Sequence, residues 1–496
     1  VRPLIHAVRP EDVSRRISQW LNAGDKLVQI QAPGLTPVKL PTAAQIEWQA
    51  RAIAQAPVPP LQAKAAPSAG RFVDEDKGGT VCSEQYNAAH SLTRWQLNNG
   101  DTVLLLQNPV AGDKIYLQSI GGSGFMSSGL NPWLAQLAAQ IVWQTAPQGW
   151  DDDALAIWQR ERQINLSHSL AANSSKTEGS APFAQTESLF HLYRARLTTP
   201  QVADNFREPI VQMMRQQAVS ESSDRGARER LTTAFRFGHP AFEHPSNAAL
   251  EAVEENALLA QWQAAHRVPA THYILSSRPA AELKPLVARY LAAIPRSGNR
   301  PSAAAYVPKS GAEERHAAIG GEERSDVAAW SFAEHAWQPQ QAVRVALLQE
   351  LASDYLKNEL RDRSLGIYSL RFSATLDPDI GRINSELHFN SAPERADDLW
   401  RLAEQVLLSL PERITQADAE RLRSKLAREE AERLKRPETW LNRLVLSEQH
   451  FGDARYLTSM KQLPEAVSLP QLRDTARLLW HPQNRRVLVI DPKPGK

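Results

Sequence analysis

The sequence predicts an α+β fold made of two similar domains, each a mostly antiparallel or mixed sheet with helices packed on one face. Three observations predict it. The chain has 496 residues, more than one hydrophobic core serves, and chains of this length divide into units of roughly 100–200 residues. Segments of period-two hydrophobicity alternate with amphipathic segments of helical period, an order that suits helices layered on a sheet. Third, two distant segments align without a gap: AVRPEDVSRRISQWLNAGDKLVQIQAP from Ala7 to Pro33, and AVSLPQLRDTARLLWHPQNRRVLVIDP from Ala466 to Pro492.

In that alignment Ala7 and Val8 match Ala466 and Val467, Val13 matches Leu472, Ile17 matches Ala476, Leu21 matches Trp480 and Pro33 matches Pro492. Each copy reads as a short amphipathic helix, a turn and a strand closed by proline. If the second copy ends a domain, the first ends one too, and the body of that earlier domain lies upstream of Val1. A chance match between two common helix-strand units is the competing explanation. A chain that starts at Val1 rather than Met also points to processing or truncation of a longer parent.

Composition narrows the function classes. With 42% hydrophobic and 23% charged residues the chain has the balance of an ordinary folded protein. Its 57 Lys and Arg nearly cancel 55 Asp and Glu, leaving a formal charge of +2, so neither nucleic acid nor a membrane is implied as partner. The single cysteine, Cys82, excludes an intramolecular disulfide and a cysteine metal cluster. No apolar run approaches the ~18 residues that span a bilayer.

Four segments follow in order: 1–36 as the last helix and strand of a preceding domain, 37–88 as a linker, 89–298 as one full domain and 299–496 as the second. The linker is rich in Pro, Ala and Gln and contains a short helix at Ala43 to Ala54. In the first full domain, Trp95 to Leu106 forms a hairpin around Asn98-Asn99-Gly100-Asp101, because Asn-Gly supplies the positive φ of a tight turn. A strand at Ile115 to Ile120 leads through GGSGFMSSG into a helix with Leu130, Leu134, Leu137, Ile141 and Val142 on one face. That glycine-rich loop lacks the Gly-Lys-Ser/Thr ending and the spacing of a phosphate cradle. Asp151 to Asp153 cap the next helix, a strand runs near Ile164 to Leu170, PFAQTESLFHLYRARL is helical, and THYILSS with its following helix closes the domain. The second domain has a long helix from about Gln340 to Asp362, then two strands in which Leu370, Phe372, Ala374 and Leu376, and Ile383, Leu387 and Phe389, mark the buried face. Helices follow from Pro393 and from Thr415, the latter opening close to a capping box.

Three stretches carry a family resemblance: HYILSSRPAAELKPLVARYLAAIP, LKNELRDRSLGIYSL and ERITQADAERLRSKL. Together with the order of elements they resemble the insulinase and pitrilysin type of zinc metallopeptidase, specifically its non-catalytic C-terminal half. The bacterial periplasmic branch, which includes relatives of quinone-cofactor processing peptidases, is the most similar. The resemblance implies four related α+β domains in the parent, of which this chain holds the third and fourth.

Members of this family hold zinc on an inverted H-x-x-E-H helix, in which two His one turn apart bind the metal and the Glu is base for its water. No such motif occurs here. Glu334-His335, Glu243-His244 and Glu448-Gln449-His450 imitate it without a second His at the required spacing, and His239 and His244 are five apart, so a helix does not bring them to one face. The stretch that matches the motif helix is Gly129 to Gln136, with Pro132, Ala135 and Gln136 where His, Glu and His are expected. No metal and no cofactor are therefore expected in this chain, and zinc is expected in the missing N-terminal half.

The resemblance also implies that Arg361 and Tyr368 reach the closed active site, the guanidinium holding substrate backbone and the phenol donating to the developing oxyanion. Arg363 is a second candidate for the arginine. Read without the resemblance, Arg361 closes a helix C-terminus against its dipole and Tyr368 is an ordinary strand residue. The implied partners are the N-terminal catalytic half of the same polypeptide and a peptide or small-protein substrate, in the bacterial periplasm. The alternative is a silent scaffold or peptide-binding subunit beside a separate active chain. An independent serine hydrolase is disfavoured because no G-x-S-x-G elbow is present.

Overall fold

The computed structural model describes residues 8–21, 23–24, 27–30, 39–56, 70–73, 78–236, 238, 242–298, 310–320, 323–363 and 367–493. It divides into two compact units, 1–66 and 67–496.

The first unit contributes two helices, α1 (Pro10–Leu21) and α2 (Ala43–Gln55). Pro10 starts α1, where its missing N–H costs nothing, and Glu11 and Asp12 complement the positive end of the helix. A reciprocal capping box opens α2, with the Gln45 amide donating to Thr42 Oγ1 and the Thr42 amide donating to Gln45 Oε1. No residue of α1 is buried. Residues 27–30, where the sequence predicts a strand, have no strand pairing. An isolated strand lacks ladder partners for its backbone groups and has no reason to hold.

The second unit holds both sheets. Its first part runs β1 (Val81–Asn87), β2 (Leu92–Leu97), β3 (Thr102–Gln107), β4 (Lys114–Gly121), α3 (Pro132–Gln144), α4 (Asp152–Glu161), β5 (Asn165–Leu170), β6 (Ser175–Pro182), α5 (Thr186–Thr198), α6 (Arg207–Glu221), α7 (Asp224–Arg236), α8 (Glu255–His266), β7 (Ala270–Ser276) and α9 (Ala280–Leu286). The second part runs β8 (Gly311–Ala318), β9 (Ser325–Glu334), α10 (Pro339–Lys357), β10 (Ile367–Asp377), β11 (Arg382–Ser391), α11 (Ala396–Leu408), α12 (Gln416–Arg433), α13 (Pro437–Phe451), α14 (Leu469–Leu479) and β12 (Asn484–Asp491). The predicted hairpin is present, with Gly100 at φ 90° and the Leu97 amide bonded to the Asp101 carbonyl at 2.9 Å. The sheet begins at Val81, inside the stretch that composition marks as linker, because β1 pairs antiparallel with β2.

Strand order reveals the repeat. The sheets read β1-β2-β3-β7-β4-β6-β5 and β10-β11-β9-β12-β8. Without the added β1–β2 hairpin, both follow one rule, in which the five strands lie in the spatial order first, last, second, fourth, third. Direction agrees too, since only the first and last strands are parallel, β3 with β7 and β8 with β12. The closing strand is therefore central, paired on both sides: β7 with β3 and β4, β12 with β8 and β9. This is the mixed-sheet α+β repeat that the sequence predicts.

Each sheet packs one face on its own helices. Trp95, Leu105, Ile115, Leu117 and Ile274 join Leu189 and Phe190 of α5 and Leu283 of α9, while Val327, Phe372, Leu387 and Val489 join Leu348 and Leu351 of α10 and Leu399 of α11. The opposite faces are covered reciprocally. Leu104, Leu106, Tyr273 and Leu275 of the first sheet pack into the core of the second repeat with Leu444 of α13, while Ala328, Trp330, Leu488 and Ile490 of the second sheet receive Phe235 of α7. Ion pairs fix both crossings, Arg94 with Glu448 on one side and Arg236 with Glu386 at 2.6 Å on the other. Each buried large apolar side chain contributes about 1.5–3 kcal/mol, so the exchange of helices joins the two repeats into one body.

Candidate functional site

The sequence reading expects the family motif at the start of the helix that follows the second strand of a repeat. In the first repeat this is α3, capped by Asn131, whose Oδ1 accepts from the Leu134 amide, with Pro132 at the first helical position. Ala135 is 2% exposed and packs on Phe125 and Met126. Gln136 is exposed, and its amide donates to the Pro132 carbonyl at 3.1 Å. The helix start in the second repeat has the same character, since Pro339, Ala342 and Val343 occupy the matching places on α10. Pyrrolidine, methyl and carboxamide groups do not fit zinc, and no chemistry is assigned to a metal here. Among the described residues no three His, Cys, Asp or Glu side chains form a metal-holding group.

Two of the single histidines are placed by local contacts. His335 Nδ1 lies 2.7 Å from the Ala336 carbonyl, and His450 stacks on Trp337 with centroids 4.4 Å apart, its pKa lowered by burial. His239 lies outside the described residues.

Arg361 is exposed on a π-type turn, 358–363, that continues α10. Tyr368 follows on β10, where the ladder with β11 shifts register between Ile367 and Ser369. Such a bulge breaks the alternation of a strand and is a common device for re-aiming a residue. The side chains of Arg363 and Tyr368 and residues 364–366 lie outside the described residues.

The glycine-rich loop serves packing. A Cβ on Gly124 would lie 2.3 Å from the Ala171 carbonyl and 2.4 Å from the Ser174 nitrogen, because the Phe125 and Met126 amides bond to Ala171 and Ala172 at 2.9 Å. Gly124→Ala is expected to destabilise the second unit by about 2 kcal/mol, read as a lower urea midpoint; an unchanged midpoint would show that the two loops separate freely.

A buried cluster escaped the sequence reading. Asp101, in the β2–β3 turn, accepts from His272 Nε2 at 2.9 Å, from the Ala270 amide at 2.7 Å and from Arg296 Nε and Nη2 at 3.0 Å, and His272 Nδ1 lies 2.8 Å from Ser119 Oγ. Serine, histidine and aspartate are thus linked as in a hydrolase triad. Ser119 is 2% exposed and His272 and Asp101 are 0% exposed, so no substrate carbonyl reaches the hydroxyl and the cluster is a structural pin. Burial pushes the Asp101 pKa up, but bonds and charge from His272 and Arg296 and the Ala270 amide outweigh it and leave it below its ordinary value. One clue existed in the sequence: His272 directly precedes the run Tyr273-Ile274-Leu275 in β7.

Two more histidines meet in the first repeat. His168 on β5 and His266 at the end of α8 have ring centroids 4.9 Å apart, with the Trp262 ring tilted against His266 at 3.9 Å and Trp143 5.1 Å from His168. His266 Nδ1 donates to the Trp262 carbonyl at 2.7 Å, and both Nε2 atoms are buried with no hydrogen-bond partner. Burial pushes His266 down to about 4; it lowers His168 well below the usual value as well, with the neighbouring His266 adding to the effect.

A cavity of about 370 Å³ opens where α7 stops covering the second sheet. Trp330, Phe332, Thr375, Asn384 and Arg382 line its floor, and Met126 of the glycine-rich loop forms part of its wall.

Comparison with known proteins gives the lineage. No protein-family model matches the chain. It is 24% identical over 443 residues to the probable zinc protease PqqL of Escherichia coli K12, a match covering 85% of this chain and 46% of that protein. Among solved structures, the ferredoxin protease FusC in complex with Arabidopsis ferredoxin is 37% identical with a TM-score of 0.83, over 99% of this chain and 55% of that one. The chain thus resembles peptidases of the insulinase and pitrilysin type. The crystal structure of the periplasmic protease PqqL from the same bacterium has the same fold, with a TM-score of 0.76 at 20% identity over 91% of this chain and 51% of that one. The first half of PqqL alone overlays less closely, at 0.62 and 11% identity over 82% of this chain and 93% of that one. The chain spans about half the length of the whole PqqL and FusC proteins. No described helix is long and apolar enough to cross a membrane.

Proposed function

We propose that this chain is the non-catalytic C-terminal half of a zinc endopeptidase, forming part of the substrate chamber of an enzyme whose zinc lies in an N-terminal half. The observation that carries the reading is the start of α3, where Pro132, Ala135 and Gln136 stand in the places expected for the motif's two His and its Glu base. Its relation to the whole PqqL structure, closer than to the first half, supports the second position. On this reading 1–36 finish the second domain of the parent, 37–88 link the halves, and 89–298 and 299–496 are the third and fourth domains. The enzyme acts on peptides or small proteins in the bacterial periplasm, as the names of PqqL and FusC suggest for those relatives.

Arg361 and Tyr368 are the contacts this half supplies. An exposed guanidinium offers paired N–H groups to the carbonyls of an extended substrate, and a phenol donates one hydrogen bond to the oxygen on which charge appears. Both act on the substrate without binding metal.

Zinc content and peptide cleavage test this, measured on the chain alone and joined to its N-terminal half. The chain alone is expected to hold no stoichiometric zinc and to cleave nothing, and stoichiometric zinc with cleavage would overturn the proposal. In the joined enzyme, Tyr368→Phe is expected to lower kcat by about 100-fold or more with unchanged circular dichroism, as loss of an oxyanion donor does elsewhere. Full activity would remove Tyr368 from the site.

A further inference from the structure

We infer that the cavity between the glycine-rich loop and the second sheet is a peptide-anchoring subsite, which takes one large aromatic side chain of the substrate and performs no chemistry on it. The inference rests on the peptidase reading for the source of the peptide, and on the cavity itself for what is held.

Both repeats build it. Met126 and Phe242 come from the first, Trp330 and Phe332 of β9 come from the second, and the free volume is about 370 Å³. A concave site of this size, apolar in its walls and set where two folded layers meet, is the usual form of a ligand pocket. Strand parity explains the second repeat's share. Even-numbered β9 residues face away from the helices of their own repeat, so Ala328 and Trp330 pack with Phe235 of α7, and Phe332, two positions on, is left to the cavity. The first repeat's share adjoins the degenerate motif. Met126 packs with Ala135 of α3, and Phe242 packs on the same cluster with its ring 6.3 Å from that of Phe125.

The lining selects the occupant. Three arginines, Arg236, Arg382 and Arg486, are matched by three carboxylates, Asp377, Asp379 and Glu386, so the walls carry no net charge. Each guanidinium is also engaged: Arg236 with Glu386 at 2.6 Å, Arg382 Nε with Asn384 Oδ1 at 2.8 Å, and Arg486 with Glu313 at 2.8 Å. A charged ligand would give up its hydration here without gaining a free counter-ion, which disfavours phosphate, carboxylate and ammonium groups. A neutral ring gains instead, because it meets the Trp330, Phe332 and Phe242 rings and the Met126 thioether. Ser373 and Thr375 of β10 and the Asn384 amide of β11 add neutral donors and acceptors, which suit a flanking peptide backbone and go unused by a free aromatic molecule.

Fluorescence anisotropy on this chain alone tests the inference, with labelled alanine–serine peptides that carry phenylalanine, alanine, glutamate or lysine at the centre. The phenylalanine peptide is expected to bind about 10–100-fold more tightly than the other three, the gain from burying one large apolar side chain. Thr375→Trp, a change at an exposed position that fills the cavity, is expected to remove that preference with unchanged circular dichroism, and Phe332→Ala to reduce it. Equal affinity for the four peptides, preference for a charged one, or a preference that survives Thr375→Trp would each overturn the inference, as would N-acetylphenylalanine amide binding as tightly as the peptide. In the enzyme joined to its N-terminal half, Thr375→Trp is expected to raise KM about 10-fold for a long substrate that carries an aromatic residue. Aromatic preference in this chain beside an inactive joined enzyme would defeat the peptidase reading and leave the anchoring site standing, whereas an active enzyme without that preference would do the reverse.

Discussion

Asp101→Ala is expected to destabilise the second unit by about 3–5 kcal/mol. The carboxylate neutralises Arg296, whose side chain is 3% exposed, and accepts from His272 and the Ala270 amide. Its removal leaves a cation, an imidazole and a backbone N–H buried without their acceptor, and each unmet group carries its full desolvation cost. The lesion ties the β2–β3 turn to the start of β7, the central strand, so the cooperative unit and not only the turn should weaken. Urea unfolding followed by tryptophan fluorescence measures it, and a loss below about 1 kcal/mol would show that water replaces the carboxylate. Because the Asp101 pKa is lowered in the fold, its contribution is present above the ordinary aspartate pKa and is lost as pH falls through the lowered value.

A second large effect is expected on mild acidification. His266 titrates at about 4 in the fold against 6.5 in the unfolded chain, so the unfolded state takes up the proton first. Stability is therefore complete above about pH 6.5 and declines as pH falls toward 4, by about 3 kcal/mol for this group, with His168 adding in the same direction. The groups facing the pair reinforce it: Arg296 bonds to the His266 carbonyl at 2.5 Å, Trp143 and Trp262 are apolar, and Thr177 is neutral. The urea midpoint of the double variant His168→Gln, His266→Phe is expected to vary much less between pH 7 and pH 4.5 than that of the parent. Equal slopes would mean the imidazoles are hydrated and titrate normally. This window lies above the one in which Asp101 acts, so the two effects are separable on one pH series.

Much of the architecture was legible in the residues because helices and strands announce themselves locally. The hairpin at Asn98 to Asp101, the alternation of Leu370, Phe372, Ala374 and Leu376, and the Thr415 cap each depend on neighbours within a few positions, and each appears where expected. The missed elements show the converse. Strand β1 has the burial pattern of an exposed edge, with Val81 half-buried and the other six residues exposed, so no apolar alternation separates it from a linker. Strand β6, with the sequence SKTEGSAP, is held by its partners β4 and β5 rather than by its own hydrophobicity.

The residues alone determined most of the helices and strands, the gapless match of Ala7–Pro33 with Ala466–Pro492 and the presence of Pro132, Ala135 and Gln136 at one helix start, since all of these are facts about what stands at a position. Tertiary structure alone decided that closing strands lie at the centre of each sheet, that α7 and α13 cross to the other repeat, and that Asp101 meets Arg296 while His168 meets His266. The reason is physical. Periodicity records how a side chain faces its own backbone, whereas a partner 195 positions away, as Arg296 is from Asp101, is chosen by packing of the whole sheet and leaves no local mark.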